Sequence, residues 1–265
     1  MTDVRSLLRF DGDLSAVDTR GTPGVKSRKK AEAALADTAE LAELQERLYA
    51  EGTRAVVLLL QGMDTCGKDG TVKHVVGQVN PAGLRITSFK KPTAAELKHH
   101  FLWRIRRALP GPGFLGIFNR SQYEDVLVVR VHDLAPWQDR YEGINRFEAK
   151  AGVTWIKCML HISRDEQRER LLARLADPHK RWKFNEGDLA ERERWDDYAA
   201  AYQDALTRCH TDAAPWYVVP ADRKWYRNWA IQQLLLATLR ELDPQYPARE
   251  DLDVPALMKQ LSRTS

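Results

Sequence analysis

Residues 58 to 76, LLLQGMDTCGKDGTVKHVV, hold Gly62-x-x-x-x-Gly67-Lys68 directly after an apolar run and directly before a helical pattern. In that context glycines let successive backbone N–H groups turn inward, the helix adds its positive end, and the lysine reaches phosphate oxygens. A phosphate site is expected. Two positions depart from the ordinary nucleotide loop. Asp69 stands where a Ser or Thr would ligate Mg2+, and a further carboxylate, Asp64, lies inside the loop. A carboxylate among phosphates is repulsive unless a cation or proton lies between them. Asp64 therefore implies Mg2+, or a base facing an incoming acceptor. The competing readings are a turn residue for Asp64 and a helix-start residue for Asp69. Cys66 reads as a small loop filler rather than a nucleophile.

A second polar cluster follows a later apolar run in GIFNRSQYEDVLVVRVHD, residues 116 to 133. Open parallel sheets bind ligands at the carboxyl ends of their strands. Asn119 there can orient water but cannot balance charge, which shifts metal binding toward Asp64. Arg120 can bridge phosphates in bidentate fashion, with a structural salt bridge as its competitor. Between Arg85 and Arg107 the chain carries seven basic residues, two histidines and a single acid, Glu96. That run is either a solvated helix face or an attractor for a polyanion. Arg164 to Arg194 holds nine basic and eight acidic residues around DPHKRWKFNEGD. It reads as two helices joined by a loop, either a lid over the sheet edge or a plain surface insertion.

The elements that must position these residues are short apolar runs alternating with helical patterns. The strands expected are 54 to 61, 84 to 89, 114 to 119, 154 to 162 and 216 to 219, the pattern of a parallel sheet covered on both faces. Residues 28 to 52 carry Leu and Ala at helical spacing and end at Gly52, a C-cap residue. Residues 1 to 25 look like an extended lead-in. The division expected is an arm and helix over 1–52 and a main domain over 53–265, with the lid at about 164–197.

The whole chain has 265 residues, 43% hydrophobic and 29% charged, with a net charge of +4. This excludes a disordered tail and offers a sizeable core. No stretch approaches the roughly 20 apolar residues of a bilayer span, and acids occupy the start where a signal peptide has its apolar segment. A cytoplasmic location without membrane partners is expected. The three cysteines fit neither a disulfide framework nor a CxxC metal site. The histidines do not cluster as ligands: His99 and His100, being adjacent, point to different helix faces.

Four blocks in order, GMDTCGKDG, FNRSQYEDVLVVRVH, RLADPHKRWKF and APWYVVPADRKW, resemble the family 2 polyphosphate kinases over about residues 40 to 240. The resemblance implies an α/β, three-layer P-loop kinase fold, related to that of thymidylate and adenylate kinases. A parallel central sheet would carry a helical lid insertion and an N-terminal helical extension. It implies phosphate transfer between inorganic polyphosphate and AMP, ADP or ATP with Mg2+, or Mn2+ in its place, by a homo-oligomer, dimer or tetramer.

Carried onto this chain, Asp64 would position the metal and the acceptor phosphate. Gly62, Lys68 and the stretch from Asp64 through Thr65, Cys66, Gly67 and Asp69 would grip the transferring phosphate. Arg120 joins Asp64 and Lys68 as catalytic. Many members have Asp-Arg-Ser where this chain has Asn119-Arg120-Ser121. Tyr123-Glu124 stands where the ADP-preferring class has Tyr-Asn, so both would touch nucleotide, and the Glu resembles the class acting on AMP and ADP. Arg130, and the lid's Arg174, Lys180, Arg181 and Lys183, would hold phosphates, with Asp196 and Asp197 on the next helix. Lys90, Arg104 and Arg107 would line a polyphosphate channel.

Two other functions compete. One is an ATP-dependent kinase of a nucleoside monophosphate or small metabolite, sharing the loop. The other is a polyanion-binding protein for RNA, disfavoured because most Trp and Tyr residues sit in packing patterns, for example Trp155 and Trp216. No nucleic-acid partner is therefore expected. Asp222, Arg223 and Lys224 fall at the last strand's end, where nucleotide contact competes with helix capping by Asp222.

Overall fold

The computed structural model describes residues 3–77 and 79–263. Five strands form one parallel sheet: β1 (Val56–Gln61), β2 (Leu84–Ser88), β3 (Leu115–Asn119), β4 (Thr154–His161) and β5 (Trp216–Pro220), in the order β2-β3-β1-β4-β5. Every residue of β1 is buried, as the middle strand of a doubly covered sheet requires. Because β1 lies between β3 and β4, the chain leaves its carboxyl end at the point where strand order reverses, and a crevice opens there.

Helices fill both faces. The 28–52 pattern divides at Asp37-Thr38 into α2 (Arg28–Ala36) and α3 (Ala39–Glu51), and Gly52 ends α3 in the left-handed conformation at φ 67°. After α4 (Lys68–Thr71) the helix continues as a wider π turn over Val72–Val76. Next come α5 (Trp103–Ala108), α6 (Val128–Val131) and α7 (Arg140–Lys150). The charged segment forms α8 (Arg164–Ala176), α9 (Gly187–Glu193) and the start of α10 (Trp195–Arg208), three helices rather than two, because the helical stretch after the loop breaks at Arg194 into α9 and α10. The 19-residue α11 (Lys224–Leu242) is buried along most of its length, and α12 (Val254–Leu261) stands exposed beyond it.

The lead-in is not an extended tail. It contains the short helix Val4–Leu8, which as the first in the chain is α1, and buries Val4, Leu8, Phe10, Leu14 and Val25 in the main core. The backbone of Phe10 donates to Trp216 O at 3.0 Å, beside a bridge between Arg9 and Tyr217. Asp222 neither caps α11, whose N-cap is Arg223, nor stands open to ligand. Its buried carboxylate accepts from Thr19 Oγ1 (2.8 Å), Ser163 N (2.9 Å) and Ser163 Oγ (3.0 Å), tying residue 19 to the residue that caps α8.

Candidate active site

The loop between β1 and α4 is built on two glycines whose place no other residue can take. Gly62 has φ 149°, and a Cβ there would lie 2.5 Å from Leu160 O and 2.7 Å from Cys66 Sγ. Gly67 has φ 105°, and its Cβ would enter the Arg227 guanidinium. Between them Thr65 is held at φ 64°, an uncommon and strained setting for a β-branched residue. Its Oγ1 is buried without a partner. Strain and an orphaned hydroxyl at one residue are the marks of a loop shaped for a ligand. Lys68 folds back over the loop, donating to Gly62 O at 2.9 Å and lying 3.4 Å from Cys66 Sγ.

Buried arginines support this loop from behind. Arg170 of α8 uses all five of its N–H donors: Nε to Glu166 Oε1 (2.8 Å), Nη1 to Thr65 O (3.0 Å) and Cys66 O (3.1 Å), Nη2 to Ala221 O (2.6 Å) and Asp222 O (3.0 Å). Arg227 of α11 adds a bond to Cys66 O at 3.1 Å. Burial, and then the neighbouring Arg170, push the Arg227 guanidinium down toward a pKa of about 10. The carbonyls of Thr65 and Cys66 are thereby turned back to these cations, and the Cys66 amide donates to Met63 O at 3.1 Å. Gln167 completes the clasp through Nε2 to Asp64 O at 3.1 Å. Sequence reading missed all three: Gln167 and Arg170 because RDEQRERLLARLA has the composition of a solvated helix, and Arg227 because nothing in the pattern of α11 ties it to the distant loop.

The Asp64 side chain accepts no hydrogen bond from its own loop. Its nearest cation is Arg174 of α8, whose Nη1 lies 3.8 Å from Asp64 Oδ2 and 3.9 Å from Asp188 Oδ2 of α9. Both separations are too long for hydrogen bonds, so Arg174 is poised between two carboxylates and bound by neither. Burial and the proximity of Asp64 raise the Asp188 carboxyl above its ordinary range. Asp69 is engaged otherwise: Asn119 Nδ2 donates to its Oδ1 at 2.7 Å, pinning the end of β3 to the start of α4.

At that strand end Arg120 adopts φ 65° and pairs with Glu124 Oε2 at 3.0 Å, while Gln61 Nε2 donates to Glu124 Oε1 at 3.1 Å. Glu124 is the main cause of the upward shift of the Arg120 pKa. Tyr123 does not join them. It is fully buried, its hydroxyl donating to Glu148 Oε1 (2.8 Å) and accepting from Lys157 Nζ (2.8 Å). The tight turn after Ser121 aims Glu124 at the crevice and its neighbour into the core, which corrects the expectation that both touch nucleotide.

Asp125, next in this turn, is pushed up to about 6 by burial, against the pull of Arg140 at 2.6 Å and of Arg104. The folded chain thus keeps a proton that the unfolded chain releases near pH 4. The stability this contributes is fully present below about pH 4 and is lost as pH rises through about 6. Urea melts across that window should show a fall for the native chain and a shallower one for Asp125→Asn; parallel curves would place the carboxyl at its ordinary pKa.

Three cavities meet around the loop. One of about 450 Å³ is lined by Asp64, Arg120 and Glu124 on one side and by Leu127, Tyr198 and Tyr202 on the other. A second, about 420 Å³, is bounded by Thr65, Gly67, Lys68, Asp69, Asn119 and Arg174. A third, about 390 Å³, runs along the edge strand β2 between Arg85, Lys90, Arg104 and Arg107. Lys91, which sequence reading passed over beside Lys90, lines all three.

Other expected residues lie elsewhere. Arg130 is turned to Asp204 at 2.6 Å and covers the Trp137 ring, so its charge is already engaged away from the loop. Lys180 pairs with Asp177 at 2.6 Å, Arg181 donates to Leu175 O at 2.7 Å, and Lys183 lies over the exposed Trp182 ring. These three line none of the three cavities. Asp196 and Asp197 are exposed on the first turn of α10.

For a hard divalent cation the fit rests on Asp64, an open carboxylate beside the loop cavity. Among the described residues no group of three or more His, Cys, Asp or Glu side chains converges into a metal cage. Such a site suits Mg2+, which keeps several waters and takes its other ligands from one or two carboxylates and substrate phosphates.

Residues 25–247 match the model of the Polyphosphate kinase 2 family. The chain is 50% identical over 250 residues to the AMP/ADP-polyphosphate phosphotransferase of Meiothermus ruber, covering 92% of each. It is 41% identical to the ADP-polyphosphate phosphotransferase of Rhodopseudomonas palustris, over 94% of this chain and 91% of that one. The crystal structure of Polyphosphate Kinase 2 from Arthrobacter aurescens TC1 superimposes with a TM-score of 0.95 at 47% identity, over 100% of this chain and 98% of that one.

Proposed function

This chain belongs to the polyphosphate kinase 2 family, and from that membership we propose that it transfers a terminal phosphoryl group between inorganic polyphosphate and AMP or ADP, reversibly. The reading is carried by the meeting of the three cavities at Lys91, beside a loop with an open carboxylate. The acceptor nucleotide takes the 450 Å³ cavity. Its base packs against Leu127, Tyr198 and Tyr202, and its phosphate comes to Arg120 and Asp64. The donor's terminal phosphate takes the loop cavity, and the remainder of the chain trails along the cationic groove of β2.

Phosphoryl transfer asks a protein for alignment and for neutralisation of charge on the moving group. Lys68 and the loop amides hold that group, while Arg120 and Arg174 approach it from the two sides. Asp64 would hold Mg2+, or Mn2+ in its place, which when bound would add to the neutralisation of the phosphates and screen the carboxylate from them. Arg174 can turn from its carboxylates to phosphate without breaking a formed hydrogen bond, which makes the lid helix responsive to substrate.

The reading is tested by supplying AMP or ADP with Mg2+ and either long-chain polyphosphate or ATP as donor. Phosphorylated nucleotide is expected with polyphosphate. ATP as the sole productive donor would select an ATP-dependent monophosphate or metabolite kinase instead. A homo-oligomer is part of the proposal, to be checked by light scattering. No helix among the described residues is long and apolar enough to cross a membrane.

A further inference from the structure

A cavity of about 500 Å³ opens between α5 and α7, lined by Arg106, Arg146, Lys150, His100 and Phe147 and by no carboxylate. Among the described residues Arg106, Arg146 and Lys150 have no ion-pair partner; the Arg106 guanidinium lies 5.8 Å from the centroid of the Phe147 ring. Like charges gathered in a concave place without counter-charge create a positive potential that an anion relieves.

The helix α5 relates this cavity to the donor groove. Arg104, Arg107 and Ala108 face the groove, whereas Leu102, Arg106 and Leu109 line the cavity. Each set follows the three- and four-residue spacing of a single helix face. The two cationic places are therefore the two flanks of one helix, which with its side chains is about 10–12 Å across.

We propose that this cavity is a distal anchor for the donor, a site for linear condensed phosphate engaged only by chains long enough to cross α5. It rests on the reading of the preceding subsection and deepens it. Long chains gain a second hold that short ones lack, so the enzyme discriminates donors by length, at a place remote from the reacting phosphate.

The double variant Arg146→Ala/Lys150→Ala removes two exposed cations outside the loop machinery. Steady-state kinetics with long-chain polyphosphate and with tripolyphosphate should show the long-chain KM rising about tenfold, as the loss of two solvent-facing charge contacts allows. The KM values for tripolyphosphate and AMP, and kcat, should stay near wild type. An unchanged long-chain KM, or equal rises for both donors, would overturn the anchor. Orthophosphate or AMP competing with long chains in the wild type but not in the variant would assign the cavity to a small anion, also overturning it. Equilibrium dialysis with long-chain polyphosphate separates this proposal from the functional reading. A wild type without turnover defeats that reading, while a wild-type-to-variant affinity gap still supports the cavity as a polyphosphate site.

Discussion

Asp64→Asn is expected to lower turnover by about a thousandfold or more, the scale on which loss of a preorganised electrostatic group acts. The substitution keeps the shape of the side chain and removes the charge that lets a cation sit among phosphates. Asp64 is partly open and accepts no hydrogen bond within its loop, its nearest partner being Arg174 at 3.8 Å, so the fold should be unaffected and the thermal midpoint unchanged. The Mg2+ concentration for half-maximal rate should rise as well. Turnover near wild type at ordinary Mg2+ would return this residue to the role of a turn former.

Arg170→Met is the substitution with the largest expected effect on stability, about 3–5 kcal/mol, as for a buried charge network broken on one side. It leaves the carbonyls of Thr65, Ala221 and Asp222 and the Glu166 carboxylate without their donor and Cys66 O with Arg227 alone, and each unsatisfied buried group carries a desolvation cost. Urea denaturation measures the loss, and phosphate affinity should fall with it because the loop is no longer held from behind. Arg170→Lys should be intermediate, since an ammonium offers three donors against the five of a guanidinium. A loss below about 1 kcal/mol in the Met variant would mean that Arg227 and Gln167 hold the loop unaided.

Four strands were legible because they are buried and read as near-continuous apolar runs; the edge strand β2, exposed at Arg85, Ile86 and Ser88, showed only through its β-branched Ile86 and Thr87, and all five occur where they were expected. The glycine turn between β1 and α4 was legible because glycine spacing is a backbone requirement that shows in the sequence. Arg170 was not, since a buried guanidinium amid alternating acids and bases looks like a solvent-facing one until α8 is laid against the loop. Tyr123 and Glu124 show the opposite difficulty. They are adjacent in sequence and alike in motif, yet the turn after Ser121 sends one into the core and the other into the crevice. Lys180 and Lys183 belong to a segment that reads as cationic, but local partners at Asp177 and Trp182 hold them where the loop is not. Long-range placement of this kind carries no periodic signature.

The buried Asp222 carboxylate grips Thr19 and Ser163 together. The N-terminal arm and the residue that caps α8 thus hang from one peg. Trimming the first twenty residues would do more than shorten the chain: it would remove one half of that peg's load and loosen the seating of the helix that bears Arg174.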